Sequence, residues 1–383
     1  ATAGTITLGE ISTGTAGTTT GQVAIIATAG SIVDLGTDTS AVDITAAGLI
    51  LTAGTAIGAG ANHLESSVAS ISTRSANGGT FVSETDAVTV TNLSLVVERV
   101  LTTGELDGTK PAQSQEDLVT VGADSHLVLV TGNGAITVGG PDASGISATG
   151  NILLSAQGAA GDITLNAAVL STAGNITLLA QGGIVQTADV GDITVSAAGK
   201  SIDLKAAAGI SMGDGALTQS NNGNVRYEAT AGSITVGEIS TGTAGTTTGQ
   251  VAIIATAGSI VDLGTDTSAV DITAADLILT AGTAIGTGVN HLETSVSNVS
   301  TRSGNGGSFI SETDAVTVTQ LSLVVERVLT TGLLDGTQPA QSQEDLVSVG
   351  TDSHLVLVTG NGAITVGGGT NAQGISATGN ILL

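Results

Sequence analysis

Short bursts of alternating apolar and polar residues, each opened by a glycine, run through this chain. "GDITL" starts at Gly161, "GNITL" at Gly174, "GDITV" at Gly191, "GNVRY" at Gly223 and "GSITV" at Gly232; "GTITL" at Gly4 and "GAITV" at Gly134 belong to the same set. Alternation with period two predicts a short strand with one buried face, and the leading glycine predicts the turn before it. The inward pairs are then Ile6/Leu8, Ile136/Val138, Ile163/Leu165, Ile176/Leu178, Ile193/Val195 and Ile234/Val236. Strands this short need a neighbour on each side. Stacking successive coils of about 20 residues, with parallel strands about 4.8 Å apart, supplies one. The pattern predicts an all-β fold: a right-handed parallel β-helix of roughly 20-residue coils with polar loop insertions.

Two stretches break the rhythm. In Gly58 to Glu84, Leu64, Val68 and Ile71 stand at helical spacing, while β-branched residues and flanking glycines fit an extended segment equally well. Glu98 to Leu118 is polar and holds Gly, Pro and most of the local charge. It predicts a loop projecting from the solenoid, repeated near Glu326 to Leu346.

The chain repeats itself over a much longer period. Gly9 to Ala47 recurs letter for letter at Gly237 to Ala275, and Ala1 to Gly140 aligns with Ala229 to Gly368 with about 17 differences. Residues 1–228 form one unit of a continuous β-helix, and residues 229–383 a second, incomplete copy. At about 20 residues per coil a unit holds about 11 coils and is roughly 50–55 Å long. The chain opens at Ala1 without a signal segment and closes inside a strand pattern, so a piece of a longer protein is expected.

Composition narrows the class. Aromatics are 1% of the chain and glycine contributes 56 of 383 residues, yet 41% is hydrophobic. A core of small branched side chains suits a thin solenoid better than a globule. The net charge of −25 disfavours nucleic acid and anionic lipid as partners. Without cysteine there is no disulfide or thiolate chemistry. No run of apolar residues is long enough for a membrane span.

With these coils, "NHLESSVASISTRSANGGTFVSETDAVTV" from Asn62 and its partner from Asn290 resemble the repeat regions of filamentous-haemagglutinin-like giant bacterial surface proteins. The resemblance implies a parallel β-helix, export to the cell surface, and adhesive or scaffolding work. It brings no catalytic residues.

Candidate chemistry is sparse. His63/His291 and His126/His354 are two positions repeated, near Glu65 and Asp124, without ligand spacing; solvent-facing histidines are expected. Acidic residues gather at Asp34, Asp38 and Asp43, and at Glu105, Asp107, Glu116 and Asp117, in no known calcium motif. No catalytic, cofactor-binding or metal residue is assigned, and no cofactor is expected beyond weak, non-motif Ca2+ binding. A glycan-cleaving β-helix would need carboxylates beside a cation. The cations are Arg74, Arg99, Lys110, Lys200, Lys205, Arg226, Arg302 and Arg327, and the second copy replaces Lys110 by Gln338 and Glu105 by Leu333. "AAGKS" at Ala197 lacks the glycine a phosphate loop needs at Thr194, and the threonine-rich Ser12 to Gly21 reads as a polar turn. The expectation is a non-enzymatic structural or adhesive segment of a secreted, cell-surface bacterial fibre. Its partners would be further copies of its own unit end to end, with lateral self-association or a cell-surface or glycan receptor. The alternatives are a self-assembling extracellular filament or sheath subunit and a carbohydrate-active β-helix enzyme.

Overall fold

In the computed structural model the chain is built of strands, turns and loops. The described residues are 1–36, 41–108, 112–115, 117–140, 145–264, 269–367 and 374–383, and they contain no helix. Among the described residues one parallel sheet system of 33 strands winds through both copies, giving a parallel β-helix. Its ladders pass from coil to coil in register. Leu127, Ile152, Ile176, Ile202, Val225, Val251 and Leu277 pair in succession, in steps of 23 to 26 residues. The coil is thus longer than the expected 20 residues, because each turn carries three strands and three corners.

The glycine-led motif has two physical reasons. At Gly174 and Gly223 a Cβ would run into the backbone of the preceding coil, at Gly150 and Lys200 respectively. These corners stack backbone on backbone, so only glycine fits. The asparagine that follows carries the stacking one step further. Asn151 Oδ1 accepts the Asn175 N–H at 2.8 Å, Asn175 Oδ1 accepts the Ser201 N–H at 2.8 Å, and Asn224 Oδ1 accepts the Gln250 N–H at 3.0 Å. These corner amides are buried or half-buried and would otherwise lack partners.

The inward apolar residues form one core cluster that runs from Leu8 to Leu357 through both copies. All the expected pairs from Ile136/Val138 to Ile234/Val236 are fully buried, and Leu8 is 4% exposed. Near its middle the core admits a closed polar knot. The Tyr227 hydroxyl, itself buried, lies 2.6 Å from Gln186 Oε1 and 2.5 Å from Thr218 Oγ1, while Gln186 Nε2 donates to Gly191 O at 3.0 Å. Every polar group of the knot therefore has a partner.

Gly58 to Glu84 is extended throughout. Leu64–Ser75 is a 12-residue strand and Thr80–Glu84 follows it. The helical spacing of Leu64, Val68 and Ile71 is coincidental: all three are buried, on a strand that bends across two faces of the coil. Here the faces are re-dealt. Ser70 and Ile71 pair with Thr89 and Val90, whereas Thr73–Ser75 pair with Leu118–Thr120, so one face becomes two. Thr80–Glu84 meanwhile joins two faces into one, with Thr80 bridging Ile57 and Val82–Glu84 pairing Leu64–Ser66. The ladder that starts at Ile6 consequently passes through Ile32, Ile57, Thr80 and Leu127 to Val225 and Val251. Ile234, the repeat of Ile6, lies on another ladder, between Ile210 and Ile260. The second copy is therefore the first one continued and turned by one face. A unit spans about eight and a third coils, or roughly 40 Å at the usual strand spacing, instead of about 11 coils.

The polar insertion is an antiparallel arm that grows between the two re-dealt faces. Leu93–Leu95 pairs with Gln113–Gln115 in the first copy, and Leu321–Leu323 with Gln341–Gln343 in the second. The second arm does not project. It lies back along the outside of the preceding coils and closes two apolar clusters. Leu321, Leu323 and Val325 cover Ala252 and Ile278, and Val328 sits among Phe81, Val128, Val130 and Leu153.

Candidate functional site

Chemistry-bearing side chains converge in two kinds of place: an acidic cluster that occurs once per copy, and the clamp beneath the second arm.

Asp34 and Asp43 flank one corner of a coil, Glu65 stands beside Asp43 on the next coil, and their carboxylates approach within 4.8 Å of one another; Asp262, Asp271 and Glu293 do the same in the second copy. Parallel stacking brings Glu65 to Asp43, since residues one coil apart lie side by side on a ladder, and the corner between Asp34 and Asp43 brings in the third carboxylate. Asp43 and Glu65 are 6% and 5% exposed. Asp34 is half-buried, and the Gly36 N–H at 2.8 Å holds its carboxyl below the usual range. Asn62 Nδ2 also donates to Asp34 Oδ2, at 3.1 Å. Asp43 Oδ2 accepts the Glu65 N–H at 3.0 Å. No donor reaches either oxygen of Glu65, and Asn62 Oδ1 is likewise buried without a partner. Burial, reinforced by the neighbouring acids, pushes Asp43 up to about 6 and Glu65 up to about 7. Asp271 is pushed up to about 8, again mainly by burial. Among the described residues no Lys or Arg pairs with either cluster. Such an all-oxygen, anionic pocket can hold protons or a hard cation.

The sequence paired Asp34 with Asp43 correctly. It missed Glu65, which it set beside His63, because a contact across one coil has no fixed sequence spacing. Asp38 lies outside the described residues. Among the described residues the second acidic group does not assemble: Glu105 is exposed on the first arm and Asp117 Oδ1 caps the Gly145 N–H at 2.7 Å, while Glu116 lies outside the described residues.

Under the second arm, Asp203 is fully buried and accepts three guanidinium contacts. Arg226 donates from Nε at 2.9 Å and from Nη2 at 3.0 Å, and Arg327 from Nε at 2.8 Å. Arg226 Nη2 also reaches Gln338 Oε1 at 3.3 Å. Lys205 pairs with Glu228 at 2.7 Å on the surface, while Arg74, Arg99 and Arg302 are exposed. Lys110 lies outside the described residues. A groove of about 770 Å³ beside the arm is lined by residues including Gln157, Gln181, Lys205 and Arg327, with no carboxylate among them.

The first-copy histidines are not the solvent-facing residues expected. His63 is 9% exposed; its Nδ1 lies 2.8 Å from Ser83 Oγ and its Nε2 lies 3.0 Å from Thr330 O of the second arm. Burial lowers its pKa. His126 Nδ1 accepts the Asn151 N–H at 3.0 Å, and burial lowers its pKa also. Both histidines brace neighbouring backbone. The threonine-rich stretch is a closed turn, with Thr13 and Thr19 hydroxyls 3.0 Å apart and Thr241 and Thr247 repeating the contact.

Comparison of the chain with known protein families, with curated proteins and with solved structures finds no match.

Proposed function

We propose that this chain is a rod-forming segment of a long bacterial cell-surface protein of the filamentous-haemagglutinin-like kind, carrying adhesive contacts along an extended stalk. The single observation that supports this best is the uninterrupted core from Leu8 to Leu357, shared by both copies. In a solenoid each layer is stabilised by its neighbours, so copying a unit lengthens the molecule without redesign. An active site gains little from such copying. The groove beside the arm also lacks the paired carboxylates that glycoside cleavage requires. The test is immunolabelling of intact producer cells with antibodies raised against the purified chain, together with binding of chain-coated beads to host or neighbouring cells. Surface labelling and bead adhesion are expected. Antigen confined to the cell interior, or release of new reducing ends from a polysaccharide panel, would overturn the reading.

A further inference from the structure

The twelve residues Leu93–Gly104 and Leu321–Gly332 are identical, "LSLVVERVLTTG", yet their surroundings differ. Val325 and Val328 are 0% and 1% exposed; their twins Val97 and Val100 are 62% and 65% exposed. From Val324 onward the second arm is held by the coils that precede its own unit. Asn224 Nδ2 donates to Val324 O at 2.8 Å, the Glu326 N–H reaches Ser201 Oγ at 3.2 Å, and the Val328 N–H reaches Thr177 Oγ1 at 2.9 Å. Asn151 Nδ2 donates to Gly332 O at 2.8 Å, and Arg327 enters the Asp203 clamp at 2.8 Å. These partners all lie in Asn151–Asn224, which has no counterpart ahead of the first arm in this chain.

We propose that the first arm is a docking element whose occupant is another copy of this 228-residue unit set in line before it, through the face that carries Asn151, Thr177, Ser201, Asp203 and Asn224. The second arm, with the same twelve residues already seated on that face in the same molecule, is the precedent. Each arm thereby straps its unit to the previous one across the junction, adding side-chain contacts to the coil stacking. The strap holds whether or not the rod is displayed on a cell.

The test uses the absence of cysteine from the chain, which makes any introduced thiol unique. Val100→Cys and Val328→Cys are made separately in the 383-residue chain. Each is also made, at the same site, in a chain lengthened by residues 1–228 ahead of Ala1, so that Glu228 is again followed by the start of a unit. In the 383-residue chain Val100→Cys should react with a thiol reagent at least tenfold faster than Val328→Cys. In the lengthened chain both should be slow. Amide exchange at the unsubstituted valines gives the same readout without a substitution in the arm. Fast labelling and exchange at Val100 in the lengthened chain would overturn the proposal, as would fast labelling at Val328 in the original. Protection of Val100 that grows with concentration in the 383-residue chain would replace the in-line unit by a neighbouring molecule and also overturn it.

A separate observation carries a second inference. Both oxygens of Glu65 are buried without a hydrogen-bond donor, facing two more carboxylates. We infer that Asp34, Asp43 and Glu65, and their repeats Asp262, Asp271 and Glu293, bind one calcium ion per unit. Hard cations take oxygen ligands, and calcium takes six to eight of them, including bidentate carboxylates and amide carbonyls such as that of Asn62. A shared proton is the competing occupant of the same oxygens.

Calorimetric titration of the 383-residue chain with CaCl2 at pH 8 should give two equivalents per chain, one for Glu65→Gln, and none for the double variant Glu65→Gln/Glu293→Gln. Circular dichroism should show the β-sheet retained in both variants. At pH 6 binding should weaken and release protons into the buffer. No heat and no thermal shift with millimolar Ca2+ at pH 8 would overturn the site, as would unchanged binding in the folded double variant.

Discussion

Replacing Asp203 by alanine tests the clamp at its centre. The carboxylate is fully buried and receives three guanidinium contacts at 2.8 to 3.0 Å. Arg226, at 2% exposure, has nowhere to turn when the carboxylate is gone. Removing one partner of a buried ion pair costs about 3–5 kcal/mol, chiefly because the other charge stays buried and uncompensated. Arg327→Ala strikes the same clamp from its outer side, where the side chain is 17% exposed. It loses a charge-assisted hydrogen bond and leaves the Asp203–Arg226 pair intact, so roughly 1.5–3 kcal/mol is expected. A solenoid need not unfold in one step, so a global denaturation midpoint alone would blur the loss. Amide exchange should therefore be followed locally, at Ile202–Ala206 and Val225–Ala229, the strands that carry the pair. The double variant should cost less than the two single losses added, because the residues share one network. A loss below about 1 kcal/mol for Asp203→Ala, or equal losses for the two single variants, would refute the reasoning.

Three further outcomes follow from the same geometry. Tyr227→Phe removes a buried hydroxyl from the Gln186–Thr218 knot and should cost about 1–3 kcal/mol by amide exchange at Val225–Ala229; a neutral result would mean the knot does not bear on stability. Gly174→Ala forces a Cβ against the Gly150 corner and should lower stability by about 1–3 kcal/mol, whereas Gly199→Ala, which meets no atom within 4 Å, bears only the strain of its left-handed backbone. In metal-free buffer stability should fall as pH rises: Asp43, Glu65, Glu84 and Asp271 keep their protons to about 6, 7, 7 and 8 in the folded chain, against about 4 when unfolded. The folded state binds more protons across that window, so their contribution is fully present below about pH 4 and is lost as pH rises through 6 to 8. The lowered pKa values of His63 and His126 act in the opposite direction below about 6.5, so thermal midpoints that stay level or climb from pH 6.5 to pH 8.5 would contradict this.

Whatever is local or periodic in this protein is legible in its sequence. Alternation after each glycine places the strands, and the pairs from Ile136/Val138 onward are buried as read, because a period of two admits one inward face. The near-identity of the two copies requires one structure repeated. Everything that depends on what lies one coil away is set by the stack instead. Alternation understates the coil length, because corners lengthen without changing the strand pattern. The corner between Ala156 and Ile163 is longer than the one between Thr131 and Ile136 one coil earlier, though the strands on either side pair in register. The ladder from Leu127 to Leu277 shows the true step. Leu64, Val68 and Ile71 are sorted between helix and strand only by the faces they pair with. Glu65 joins Asp34 and Asp43 because parallel register sets residues about one coil apart side by side, at no fixed spacing. The arm reads as a projecting loop since its sequence is polar at both ends. Val328 is buried on a preceding unit's face and its twin Val100 is bare, so the same twelve letters have two environments. Local pattern encodes the strand; burial of an arm on a distant coil is a property of the stack.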